Sequence, residues 1–277
     1  GVMVPAWAAE NTNEIKTLTV AKAKLLADRD GDLSLSGLTM LSPEVAESLA
    51  RHNGRLYLNR LTTLSPEVAA ALARHSGRLA LNGVTTLSPE VAKELALHNG
   101  DLSLDGLTAL SPEIAKAIMP HKGSLALNGL TTLSREAAEE LARLNGNLLL
   151  FRLNKLTPEV AVAMSKHKGD LSLDGLTTLS DEAAKALAQH EGDLSLDGLT
   201  TLSPEVAKEL ALHEHGSLSL NRLTALSPEV AAALAGHKHD LIFSGLTTLS
   251  PEAAKELAKY RGELGLGSLI ALTPEAI

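Results

Sequence analysis

The sequence predicts an α/β solenoid, with a parallel sheet on the concave face and short helices on the convex face. Three observations predict it: a 23-residue period, one Leu-x-Leu pair per period, and a Ser-Pro-Glu helix start at a fixed distance after that pair. Glycines mark the period at Gly31, Gly54, Gly77, Gly100, Gly123, Gly146, Gly169 and Gly192. One extra residue near His215 then shifts the frame to Gly216, His239 takes the next glycine slot, and Gly262 opens the last repeat. Residues 1–12 form an N-terminal segment, and residues 13–277 hold ten full repeats between partial ones.

The consensus is G-x-L-S-L-D/N-G-L-T-T-L-S-P-E-V-A-K-E-L-A-x-H-x. Leu102 and Leu104 alternate in the period of a strand, so Asp101, Ser103 and Asp105 point the other way. Gly106 opens a bend, and Leu107 and Leu110 turn back inward. Ser42, Ser65, Ser88, Ser111, Ser203, Ser227 and Ser250 fill an N-cap slot. Proline follows at the first helical position, where its missing N–H leaves no bond unmade. Glutamate comes next, where the positive helix end favours it. Val91, Ala92, Leu95 and Ala96 form one apolar stripe on a helix of about three turns. Glycine after the last turn reads as its left-handed cap. Parallel strands stack at about 4.8 Å and helices at about 8–10 Å, and that mismatch curves the stack.

Composition excludes several functions. Aromatics make up only 2% of the chain, so the core is aliphatic. The net charge of −8 disfavours a nucleic-acid partner or an anionic membrane surface. No apolar run is long enough to span a membrane. The chain has no cysteine, hence no disulfide, thiolate nucleophile or Cys-based metal site. Ala6-Trp7-Ala8 before Ala9 reads as the small-residue end of a secretory leader, which favours an extracytoplasmic location. The chain ends at Ile277 inside a repeat, where a solenoid calls for more chain or a covering copy.

The repeated LSLDGLTTL segment resembles the L-x-L-x-x-N-x-L signature of leucine-rich-repeat proteins, whose repeat lengths include 23 residues. The resemblance covers residues 13–277. It implies a right-handed leucine-rich-repeat solenoid, a horseshoe or arc. It also implies a non-enzymatic protein-interaction or scaffold module that uses the concave face and needs no cofactor. The repeat is atypical, because the usual Asn slot holds Leu38, Leu61, Leu107 and Leu130, with Val84 once. The Asn ladder of the family is therefore expected to be missing, with the bend satisfied by the following threonines.

Candidate sites follow from departures from the consensus. The repeat from Gly146 reads NLLLFRLNKL, with Leu149 and Phe151 in outward slots of the sheet and Arg152 beside them. An apolar pair with a neighbouring Arg on a Ser/Asp/Asn face reads either as a partner-binding anchor or as a decayed repeat. Tyr57 is a second candidate contact. Asp170, Asp174, Asp193 and Asp197 form two rows on adjacent strands, with like charges about 5 Å apart. The alternative function is therefore an extracellular module that binds Ca²⁺ or a basic ligand through these rows. A solvated acidic edge is the simpler reading. Arg51, Arg55, Arg60, Arg74 and Arg78 make the N-terminal end basic, which suggests head-to-tail self-association.

His52, His75, His98, His121, His167, His190, His213 and His237 recur near the helix ends. They read as helix-end donors about 8–10 Å apart, too far for shared metal coordination. His213, His215, His237 and His239 crowd where the frame slips, a weak transition-metal candidate. No nucleophile, base and acid can be placed together, and every glycine is taken by the period.

Overall fold

The computed structural model describes residues 11–272, so the leader-like Ala6–Ala9 stretch and the end at Ile277 lie outside the described residues. The described residues fall into two compact units, 11–108 with 120–126 and 109–119 with 127–272. Each repeats the same layer of strand, turn and helix.

The first unit opens with a 3-10 turn at Thr12–Glu14 and then α1 (Val20–Ala27). It continues with β1 (Leu33–Ser34), α2 (Pro43–Leu49), β2 (Leu56–Tyr57), α3 (Pro66–Leu72), β3 (Leu79–Ala80), α4 (Pro89–Leu95) and β4 (Leu102–Ser103), and includes β5 (Leu125–Ala126). The strands are parallel and in register, Leu33 beside Leu56, then Leu79, Leu102 and Leu125.

The second unit holds α5 (Pro112–Ile118), α6 (Arg135–Leu141), β6 (Leu148–Leu149), α7 (Pro158–Met164), β7 (Leu171–Ser172), α8 (Asp181–Leu187) and β8 (Leu194–Ser195). It continues through α9 (Pro204–Leu210), β9 (Leu218–Ser219), α10 (Pro228–Leu234), β10 (Leu241–Ile242), β11 (Thr248–Leu249), α11 (Pro251–Leu257), β12 (Leu264–Gly265) and β13 (Ala271–Leu272). Leu148, Leu171, Leu194, Leu218, Leu241 and Leu264 align across six parallel strands, and β11 pairs with β13 apart from them.

The helix start works as expected. The Ser203 hydroxyl accepts the Val206 N–H and Pro204 stands first in the helix; the serine cap recurs from Ser42 to Ser250, with Arg135 and Asp181 in place of proline at α6 and α8. Thr157 does the same for α7. The helices from α2 onward are shorter than expected, seven residues or about two turns. Each buries the predicted stripe, as Val206, Ala207 and Leu210 do in α9. Leu102, Leu104 and Leu107 are likewise buried, whereas Leu110 is only half-buried.

The glycines do not act as left-handed helix caps. Among the described residues only Gly31 has a positive φ, 82°. The helices end on residues in the right-handed region, such as Ala211. At Gly54, Gly77, Gly100, Gly123, Gly169, Gly192 and Gly216 glycine is needed because each lies against its counterpart in the preceding layer. A Cβ on Gly192 meets the Gly169 carbonyl oxygen at 2.5 Å, far inside van der Waals contact. The glycine column therefore sets how closely the turns can stack.

The bend after each strand closes on its own backbone rather than on threonine. Leu38 N–H donates to the Leu35 carbonyl at 3.1 Å, and Leu107 to Leu104 at 3.1 Å. The leucine in the usual Asn slot thus turns into the core. The extra residue near His215 leaves the sheet undisturbed, since Leu194 still pairs with Leu218. It is absorbed in the turn between helix and strand, where Glu214 and His215 are exposed.

Candidate binding face and the histidine stacks

The second, fourth and sixth slots of each repeat lie on the strand side, the fourth half-buried at Tyr57 and Leu149 and buried at Ala80, Ser103 and Ala126. A ladder of side-chain oxygens runs along this face, on the flanks of the strand instead of in the family's usual slot. In the sixth slot, Asn59 Oδ1 accepts the N–H of Asn82 at 3.3 Å, and Asn82 Oδ1 accepts that of Asp105 at 3.3 Å. The series recurs in the second unit from Asp174 to Asp197, then to Asn221 and Ser244. The fourth-slot serines join it, Ser103 donating to Asn82 at 2.7 Å. The second slot carries a parallel set, with Asp101 accepting from Ser124 N–H at 3.2 Å.

The four aspartates singled out in the sequence are members of these ladders. Asp170 Oδ1 accepts the Asp193 N–H at 3.2 Å, and Asp193 Oδ1 accepts that of Ser217 at 2.8 Å. Asp174 Oδ1 accepts the Ser195 hydroxyl at 2.6 Å, and Asp197 Oδ1 the Ser219 hydroxyl at 2.6 Å. The repulsion between adjacent rows is thus opposed by N–H and O–H donors of the next layer. Among the described residues no group of three or more His, Asp or Glu side chains is placed to hold a metal ion.

Phe151 occupies the sixth slot of its repeat, and its N–H donates to Asn128 Oδ1 at 3.0 Å. Its ring has no oxygen to offer Asp174 N–H, so it interrupts the ladder. The side chain stays on the surface, 42% exposed, with Leu149 half-buried next to it and Arg152 and Lys155 exposed. The other exposed large apolar residues among those described lie outside these three slots. Tyr57 sits half-buried on β2 in the first unit, and its hydroxyl raises the pKa of the neighbouring Arg55 guanidinium. Arg51, Arg60, Arg74 and Arg78 are exposed there, and Arg74 is paired with Glu47 at 3.0 Å.

The histidines are placed differently from the expectation. The expected helix-end donors are all buried, at most 3% exposed. They are not 8–10 Å apart. In the first unit the rings of His52, His75, His98 and His121 stack face to face, with centroids 6.3, 6.1 and 6.1 Å apart. In the second unit His167, His190, His213 and His237 stack at 5.9, 6.1 and 6.0 Å. The reason is their place in the turn: beyond the helix, spacing falls towards that of the strands. His52 Nδ1 lies 3.2 Å from the Ala27 carbonyl. Its Nε2 and both ring nitrogens of the other seven have no hydrogen-bond partner. Carbonyls such as Ala50 and Gly54 lie beside His75 and favour its charged form, but burial outweighs them and lowers its pKa. Burial, with neighbouring histidines second, pushes His190 and His237 down to about 4.

The sequence held one signal of this burial. Leu144 takes the same slot in the intervening repeat and is 1% exposed. A slot that accepts leucine in one layer is a core slot in the others. At the frame slip, His237 and His239 meet edge to face at 6.2 Å, and His239 Nε2 lies 2.6 Å from the Glu214 carbonyl oxygen.

Repeated parallel strands, each followed by a turn and a short helix, make this fold a leucine-rich-repeat solenoid. No protein-family model matches the sequence, and no curated protein matches it. Among solved structures the chain is similar to TLR13 in its complex with ssRNA13, at 18% identity and a TM-score of 0.54, over 89% of this chain and 37% of that one. It is also similar to the internalin inlF of Listeria monocytogenes, at 13% identity and a TM-score of 0.44, over 94% of this chain and 90% of that one. A third similar structure is the Toll–Spatzle complex of Drosophila, at 14% identity and a TM-score of 0.47, over 90% of this chain and 41% of that one. The chain thus spans little more than a third of the TLR13 chain, and that likeness concerns the fold. Among the described residues no helix is long and apolar enough to cross a membrane.

Proposed function

We propose that this chain is a protein-interaction module that binds its partner on the strand side of the second unit. Phe151 and Leu149 serve as the apolar anchor, with Arg152 at the rim. The observation that carries the reading is the exposed Phe151 ring in a slot otherwise filled by ladder residues. A residue that breaks a hydrogen-bond ladder without packing in the core has no role in stability to account for it. Aromatic residues and Arg are enriched at the cores of protein interfaces. Tyr57, on the first unit, is a separate candidate contact. The RNA named with TLR13 is not carried over, because a net charge of −8 opposes phosphate binding.

The test is affinity capture from native extract with the wild-type chain and with the double variant Phe151→Ala, Leu149→Ala. A protein held by the wild type and lost by a variant with an unchanged melting temperature supports the anchor. Equal capture by both chains removes it.

A further inference from the structure

We propose that the two histidine stacks form an acid-sensitive latch, which takes up protons as a group in mildly acidic solution and thereby parts the layers that hold it. Four observations converge on it. Eight imidazoles are excluded from water, and they lie parallel in two runs of four. Fifteen of their sixteen ring nitrogens have no hydrogen-bond partner of ordinary geometry among the described residues, although backbone carbonyls such as Ala50 and Gly54 lie beside His75. Leu144 shows that the slot itself calls for an apolar group of this size.

A neutral imidazole fits this environment, whereas an imidazolium does not. A charge there is shielded from solvent and has no counter-ion at hydrogen-bond distance among the described residues, and its neighbours in the stack stand about 6 Å away. A second proton in the same run meets the first at that spacing with little screening. Unfolding removes both penalties, because a solvated histidine binds its proton near pH 6.5. Proton uptake is thereby linked to separation of the layers. Burial holds His75, His98, His121, His167 and His213 below their ordinary range as well.

The charged and titratable neighbours of the stacks are few. Asp101 faces His121 and Asp170 faces His167, and both favour the charged ring. His215 and His239 face His213, His239 also faces His237, and both oppose it. None of their charges acts on the interior members His75, His98 and His190; the charge partners of His75 and His190 are other histidines of the stack, and the Asp101 backbone favours the charged form of His98. Metal binding is not an alternative use of this geometry. Two imidazoles on one zinc ion bring their nitrogens within about 4 Å of each other, converging on a point. Rings stacked face to face at 5.9 to 6.3 Å do not converge.

Urea unfolding of the whole chain, followed by circular dichroism from pH 7.5 to 4.5, tests the latch. The slope of unfolding free energy against pH gives the protons taken up. The seven stacked rings other than His52 are expected to contribute an uptake of about six protons near pH 5.5, where a free histidine is about nine-tenths charged. The variant His167→Leu, His190→Leu, His213→Leu, His237→Leu, which copies Leu144, is expected to take up about half as many and to stay folded to a lower pH. Uptake of one or two protons by the wild type, or an unchanged slope in the variant, overturns the proposal. Should the variant not fold at pH 7.5, proton NMR of the wild-type imidazoles decides. The rings of His75, His98, His121, His167, His190, His213 and His237 staying neutral until the chain unfolds sustains the latch, and their titration near pH 6.5 in the folded chain overturns it.

Discussion

The carboxylate of Asp174 accepts a hydrogen bond from the Ser195 hydroxyl at 2.6 Å, across the boundary between one layer and the next. The same oxygen accepts the Asp197 N–H at 3.3 Å, and the other accepts the Ser172 hydroxyl at 2.9 Å. Asp174→Ala therefore strips three donors of their acceptor. It is expected to destabilise the chain by about 1–3 kcal/mol, while Asp174→Asn, which keeps one carbonyl oxygen, loses less than half of that. Chemical denaturation of the three chains checks the order. Because donors of the next layer already engage these oxygens, millimolar Ca²⁺ is expected to leave the wild-type melting temperature within a degree or so. A rise of several degrees would show that the Asp rows bind the ion after all.

Phe151→Asn restores an acceptor for the Asp174 N–H in a slot where Asn59, Asn82 and Asn221 already serve. The variant is expected to be more stable than the wild type by about 0.5–1.5 kcal/mol, the net worth of one hydrogen bond. It is also expected to bind the partner more weakly. Stability and binding that move in opposite directions are the mark of a residue kept for contact; a destabilised variant would mean that the ring packs more than its exposure indicates.

Gly192→Ala places a methyl group 2.5 Å from the Gly169 carbonyl oxygen. Backbone stands on both sides of that contact, so relief requires the turn to move. A loss of about 1–3 kcal/mol is expected, against almost none for Gly267→Ala, where no atom lies within 4 Å. Thermal melts of the two variants give the comparison.

His190→Leu isolates one member of a stack. The wild-type ring has its pKa lowered in the folded chain to about 4, below the ordinary value of 6.5. The unfolded chain then binds more protons than the folded chain between those values, so wild-type stability falls as pH drops from 6.5 towards 4. The variant lacks that dependence. Its advantage over the wild type is expected to grow across this window to about 3 kcal/mol. A difference that stays constant from pH 7 to pH 4.5 would contradict the sign.

The period, the Ser203–Pro204 helix start and the inward Leu102–Leu104 pair were legible in the sequence because each depends on its immediate neighbours. Caps and alternation act over a few residues. The ladder and the stacks were not legible in this way. Ser195 and Asp174 are 21 residues apart, and the sequence shows that a residue recurs without showing which atom of the next layer it meets. The histidines were read as helix-end donors spaced like the helices because a cation near a helix end is ordinary, and only Leu144 argued for a core slot. The glycines were read as caps for a similar reason: a local rule fitted, while the real constraint came from the turn one layer away.

The 24-residue repeat between Gly192 and Gly216 carries its surplus in the turn, while Leu194 and Leu218 keep their pairing. Register along the sheet is thus independent of the number of residues spent on the way from helix to strand. Foreign peptide spliced between Glu214 and His215 should be displayed at the edge of an intact scaffold, which makes this turn a natural grafting point.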